Sequence, residues 1–174
     1  MKRFFILMLI PLLFGLKGFA QFSKAEVSII GLTCSQCSRS VEMMMKKLPF
    51  IKSVNMDLAN TEAIVSFSKD KTIDFRKLAQ SVRDAGFDLK QIKASYSLNT
   101  DETKPSFNFC FIEDKDLFYP VKDYKTQKTE IQILLLDKNM MSKKEFKKYR
   151  SQIGAAKNPC KEKASYSIPY LLID

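Results

Sequence analysis

The 174-residue chain has no histidine and no tryptophan, and only five glycines and six prolines. The missing histidine excludes the most. It removes the commonest nitrogen ligand for zinc, copper and nickel, and with it every Cys-His or Ser-His catalytic pair. Any metal has to be held by sulfur, by carboxylate, or by both, and the chain is not expected to be an enzyme. Cysteine is scarce as well, with four in all: Cys34, Cys37, Cys110 and Cys160. Long apolar runs are absent except at the start.

That start, "MKRFFILMLIPLLFGLKGFA", has a basic opening at Lys2 and Arg3, an apolar run from Phe4 to Leu16, and a small-residue ending at Gly18-Phe19-Ala20. This is the anatomy of a secretory signal peptide over residues 1–20. The run is shorter than the ~20 residues a spanning helix needs. No cysteine follows it, which argues against a lipoprotein anchor. The expectation is an exported chain beginning at Gln21, periplasmic or else extracellular, with no stable membrane span. The whole chain carries +10; losing Lys2, Arg3 and Lys17 leaves 26 basic against 19 acidic residues, or +7. Much of that excess is scattered lysine in the second half, in "SKKEFKKYR" and "CKEK", without stacking aromatics. It reads as a solvated basic face and not as a nucleic-acid surface, and it favours an acidic partner or anionic lipid at low salt.

From Glu26 onward the periodicities alternate. "EVSIIGL" (26–32) reads as a strand. "CSRSVEMMMKKL" (37–48) reads as a helix with Val41, Met44, Met45 and Leu48 on one stripe, stopped by Pro49. "SVNMDL" (53–58) and "EAIVSF" (62–67) alternate as a hairpin around "ANT". "DFRKLAQSVRDAGF" (74–87) is a second helix, with Asp74 as N-cap and Gly86 as the left-handed residue at its end. "FDLKQIK" (87–93) is a last strand. The order βαββαβ predicts an α+β, ferredoxin-like domain over residues 25–95, with two helices on one face of a four-stranded antiparallel sheet.

The polar stretch 96–105, with Pro105, reads as a linker. Beyond it, residues 106–174 suggest a small α/β unit of no evident type. Its elements are strands at "FNFCFI" (107–112) and "TEIQILLLD" (129–137), and a helix at 142–154 that opens on a Ser142–Glu145 capping box. A strand at "YSIPYLL" (166–172) follows, placed at a sheet edge by Pro169.

"GLTCSQCSRSVE" (31–42) carries the chemistry. Cys34 ends a strand-to-helix loop and Cys37 falls in the first helical turn. Two sulfurs so spaced can converge on one ion, and the unpaired N–H groups and positive helix end favour thiolate over thiol. Thiolates select Cu(I) and other soft ions over hard ones. A zinc site would want two more ligands, and only Cys110 and Cys160 remain. A thioredoxin-like redox centre or a plain disulfide uses the same two residues. An exported pair also tends to oxidise unless metal or a reductant protects it.

Gly31, Thr33, Cys34 and Cys37, set between strand and helix within βαββαβ, resemble the Gly-Met-Thr-Cys-x-x-Cys motif of the heavy-metal-associated domain. That is the fold of copper chaperones, of the N-terminal modules of copper-transporting ATPases and of the periplasmic mercury-binding protein. Leu32 stands where the family usually has Met, and the resemblance implies that it plugs the space beneath the loop. "DAGF" (84–87) resembles the family's second-helix ending and implies that Phe87 packs near that loop. The resemblance further implies an exported soft-metal carrier. It would bind Cu(I), or Hg(II) or another thiophilic ion, through Cys34 and Cys37 and hand it to a protein partner. Arg39, Lys46 and Lys47 are candidates for steering an acidic partner. The alternatives are mercury detoxification and a thiol–disulfide redox protein. Met44 and Met45 lie on the core stripe, whereas Met43, Met140 and Met141 stay open as thioether ligands. Cys110 and Cys160 are expected to form a disulfide that pins the second unit.

Overall fold

A computed structural model describes residues 21–69, 71–97, 110–113, 115–122, 124, 128, 130–156, 158–160 and 164–173. The expected signal peptide, residues 98–105 of the expected linker, and residues 107–109 of the expected strand 107–112 lie outside the described residues.

The first half follows the predicted order. Strand β1 (Gln21–Ile30) leads into helix α1 (Ser35–Lys46). The hairpin β2 (Ile51–Asp57) and β3 (Glu62–Phe67) comes next, then α2 (Phe75–Asp84) and β4 (Asp88–Ser97). The strands pair antiparallel in the order β2-β3-β1-β4, the ferredoxin-like arrangement. Local chemistry sets the helix ends. Asp74 caps α2, its Oδ1 accepting the N–H groups of Arg76 and Lys77 at 2.9 and 3.0 Å. At the other end Gly86, at φ +87°, lets its own N–H reach Arg83 O and the Phe87 N–H reach Val82 O, a Schellman closure. One expected face departs from the pattern: Leu58 is exposed, because β2 has ended before it.

β1 and β4 both extend past their predicted lengths, and the extra residues pair with one another, Phe22 opposite Tyr96. The extension of β4 builds a ledge for the second half of the chain. Strands β5 (Phe111–Glu113), β6 (Asp116–Pro120), β7 (Glu130–Leu135) and β8 (Tyr166–Ile173) continue the same sheet in the order β4-β7-β8-β6-β5. β7 runs antiparallel along β4 from Lys93↔Leu134 to Ser97↔Glu130. The expected linker therefore starts two residues inside β4.

Two expectations for this half need correction, and one strand is new. Pro169 does not put β8 at an edge: the strand lies between β7 and a parallel β6. The proline carbonyl accepts Leu136 N–H at 2.8 Å, and the donor that proline lacks falls where β7 has already ended. Strand β6 was not foreseen, since "DLFYP" is a short apolar run between charges. The capping box is half formed. Ser142 Oγ accepts Glu145 N–H at 3.2 Å, but the Glu145 carboxylate turns to Lys148 Nζ, 2.8 Å from both oxygens. The Ser142 N–H bonds Lys90 O instead.

The sheet buries both faces of its second half. α1 and α2 cover one face, over a core that includes Val27, Leu32, Val41, Met45, Leu78, Val82, Ile92 and, from β7, Ile131, Ile133 and Leu135. Helix α3 (Lys143–Ala155) covers the other, where Phe146, Tyr149 and Ile153 pack on Leu134, Leu136, Met141, Leu171 and Ile173. The two halves meet in an aromatic cluster centred on Phe22. Its ring lies 4.8–5.7 Å, edge-on, from Phe75 of α2, Tyr96 of β4, Phe111 of β5 and Phe118 of β6. Burial raises the Tyr96 phenol to about 12, with the Glu113 charge adding to it, so the ring stays neutral. Along α2, Arg76 Nη2 reaches both Asp116 oxygens at 3.0 and 2.8 Å while its guanidinium lies 4.7 Å from the Tyr166 ring centroid. Two turns further along the same face, Arg83 donates to Asn139 O at 2.7 Å.

Phe22→Ala removes contacts to both halves at once. It is expected to cost about 3–5 kcal/mol of stability while leaving a single unfolding transition, measured by urea denaturation followed by circular dichroism. Two separated transitions would show that the halves do not share this core.

Candidate metal centre

Each residue of the loop has a local reason for its place. Gly31 follows β1 at φ +82°, a left-handed conformation that turns the chain out of the sheet. Leu32 then points inward and is fully buried, filling the space beneath the loop as the resemblance implies. Thr33 and Cys34 are exposed, and Cys37 is half-buried against the core.

Cys34 is the N-cap of α1, with extended backbone, and its Sγ accepts the Cys37 N–H at 3.0 Å. Ser38 N–H goes to Cys34 O at 3.0 Å, and Ser38 Oγ to Ser35 O at 2.8 Å. No acidic residue occupies the first turn. A backbone donor aimed at sulfur and a positive helix end with no carboxylate beside it both stabilise negative charge on that sulfur.

The two sulfurs are joined in a disulfide, with Cα atoms 5.2 Å apart. This is the oxidised state of the pair. Loading it with metal requires two electrons to cleave the S–S bond and loss of the thiol protons to give two thiolates. Among the described residues no group of three or more His, Cys, Asp or Glu side chains is placed to hold a metal. The donor set is therefore two sulfurs with an open side toward solvent. That fits a soft ion content with two or three ligands and does not make the closed tetrahedral cage of structural zinc.

The remaining candidates separate. Met140 and Met141 are buried in the two cores, so both are packing residues and not surface thioethers. Met43 is exposed on α1, and Met44 is half-buried with its Sδ 3.2 Å from Lys47 Nζ. Arg39, Lys46 and Lys47 are exposed on the same helix, Lys46 paired with Glu42. Phe87 is half-buried against the core, at the end of the sheet where Asp88 pairs with Ile30 beside the loop. Cys110 and Cys160 form a second disulfide, spanning a sequence separation of 50 residues and tying the start of β5 to the segment before β8. In chain-entropy terms a loop of that size is worth on the order of 4 kcal/mol. No pattern along the chain marks the shallow hollow flanking the cysteine loop, where Gln36, Arg39 and Glu42 of α1 face Asn55 and Met56 of β2.

The family model described as heavy-metal-associated domain matches residues 26–88. Residues 26–88 are a heavy-metal-associated domain. A probable copper-transporting ATPase, HMA5, of Arabidopsis thaliana is 34% identical over 71 residues, which are 41% of this chain and 7% of the ATPase. The mercuric transport protein periplasmic component of Serratia marcescens is 34% identical over 61 residues, 35% of this chain and 66% of that protein. Among solved structures, oxidized MerP from Ralstonia metallidurans CH34 is 26% identical, with 40% of this chain and 96% of that one aligned at a TM-score of 0.37. The chain thus spans less than a tenth of the copper ATPase it matches.

Gly31→Ala meets no atom within 4 Å, so its effect comes from the backbone alone. A side chain at this φ is expected to cost about 1–2 kcal/mol, read as a lowered thermal midpoint. An unchanged midpoint would mean the loop relaxes to a negative φ.

Proposed function

We propose that the chain carries Cu(I), bound between Cys34 and Cys37 after reduction, and hands it to a protein partner by exchange of ligands. The observation that carries this reading is the two-sulfur donor set at the start of α1, Cys34 exposed and Cys37 half-buried, with no third ligand beside it among the described residues. The family match and the copper-transporting relative support copper as cargo. The mercuric transport relative supports Hg(II) as the second reading, since the same donor set suits that ion. The oxidised state of the pair supports a third, in which Cys34 and Cys37 exchange electrons and not metal.

The partner's approach follows from what is covered. β7 occupies the β4 edge, and Arg76 and Arg83 tie the flank of α2 to the second half. The cysteine loop therefore opens over α1 and β2, where Arg39, Lys46 and Lys47 offer positive charge to an acidic surface. The same reading places the protein outside the cytoplasm after removal of residues 1–20. No helix among the described residues is long and apolar enough to cross a membrane.

The deciding experiment titrates the chain from Gln21, reduced, with Cu(I) against a colorimetric chelator, beside Hg(II) and Zn(II). One-to-one Cu(I) binding that disappears in Cys34→Ser/Cys37→Ser is expected, with Zn(II) far weaker. Binding of every ion that ignores the double substitution overturns the reading, and a preference for Hg(II) in competition moves it to the mercury carrier. A reduction potential in the oxidoreductase range, with disulfide reductase activity that needs Cys37, moves it to redox exchange. Reversing Arg39, Lys46 and Lys47 to Glu is expected to slow transfer to an acidic acceptor and to flatten its salt dependence, as followed by stopped-flow. Unchanged rates would remove those three residues from docking.

A further inference from the structure

Helix α3 presents a charge distribution that neither other helix has. Lys143, Lys144, Lys147, Lys148 and Arg150 are all exposed, within eight residues, against a single acid, Glu145. With 3.6 residues per turn, Lys143, Lys147 and Arg150 fall along one line, with Lys144 and Lys148 beside it. The inward stripe of Phe146, Tyr149 and Ile153 is already spent on the sheet. Glu145 is buried and satisfied by Lys148, so it offsets only that one charge. The other four basic residues form no ion pair among the described residues. The patch also continues beyond the helix. Ser142 N–H bonds Lys90 O, which brings the exposed Lys90 beside the N-terminus of α3, and exposed Lys138 lies four residues before the Ser142 cap.

We infer that this face docks the protein on an anionic lipid bilayer. Charge complementarity is the basis, and two observations favour a bilayer over an acidic protein. Protein interfaces depend on buried aromatic or aliphatic anchors, and the exposed large apolar residues among those described are Ile30, Met43, Leu58 and Ile112, none of them on α3. Four of the five cations are lysines, compact point charges without the fork that pairs a carboxylate in two places. A diffuse layer of headgroups asks for no more than that, and it attracts basic residues while they stay within a Debye length. The placement also has a consequence for cargo transfer. α3 lies on the face of the sheet opposite α1 and α2, so a protein held by α3 keeps the α1 side turned away from the lipid. Cys34 and Cys37 then stay open to a partner near the membrane. The inference stands whichever ion the cysteines carry.

The test uses the chain from Gln21 to Asp174, mixed with phosphatidylcholine vesicles with or without about one third phosphatidylglycerol and separated by sedimentation. Partitioning onto the anionic vesicles is expected. It should fall by about tenfold or more in ~0.5 M salt and in Lys143→Glu/Lys147→Glu/Arg150→Glu. These positions are exposed, so the thermal midpoint should be kept, and the matching Gln variants give an intermediate loss if the triple Glu variant unfolds. Equal partitioning onto neutral vesicles, or partitioning that ignores the substitutions, overturns the inference. So does α3-dependent binding to poly-glutamate by a protein that ignores both vesicles, which would assign the face to an acidic polypeptide.

Discussion

The ring of Phe22 is the contact on which the arrangement of the two halves depends. It sits on the extension of β1, before the heavy-metal-associated match begins, and touches rings from α2, β4, β5 and β6. Aromatic pairs of this edge-on kind are worth about 0.5–1.5 kcal/mol each beyond the area they bury. Four from one residue make a strong joint. Beside it, β7 is held on β4 by its ladder and by Ile131, Ile133 and Leu135 in the shared core. With the ring contacts, the second half wraps α2 as well as the sheet edge, and Arg76 and Arg83 close the gap at either end of that helix.

The joint shapes access to the cysteines. A ferredoxin-like domain on its own offers two sheet edges and the outer surfaces of both helices. Here one edge and one helix flank are occupied by the chain's own second half. What remains beside the cysteine loop is α1 and β2, which carry exposed Arg39, Lys46, Lys47 and Lys52 and the hollow at Asn55 and Met56. Access is narrowed to that side by packing, with no gate involved. The cationic helix α3 lies on the opposite face, so attraction to anionic surfaces and access to the loop are separated in space.

The loop itself holds opposing chemical tendencies. The backbone donor and the positive end of α1 favour thiolate, the form that captures a soft ion. Thiolate is also the form that enters a disulfide, and with only two residues between them Cys34 and Cys37 close one readily. A bound ion would occupy both sulfurs and block that closure. On the proposed reading, the supply of metal and reductant around the protein sets which state prevails, since no further ligand among the described residues biases the choice.

Features made by near neighbours were legible in the sequence. The Asp74 cap, the Gly86 closure and the βαββαβ order each depend on residues a few positions apart, and each is found where the sequence puts it. What the sequence could not settle depends on surfaces that exist only after those local units form. Pro169 reads as an edge residue until β7 proves to stop just short of it. Met140 and Met141 stay open as thioether ligands until two cores meet around their loop. The Ser142–Glu145 capping box reads as complete until Lys148 and Lys90 compete for its two halves. Local chemistry alone set the metal loop. The continuous eight-stranded sheet, and with it the side from which the loop can be reached, was decided by long-range pairing between β4 and β7, whose partners are some forty residues apart and carry no mutual signal along the chain.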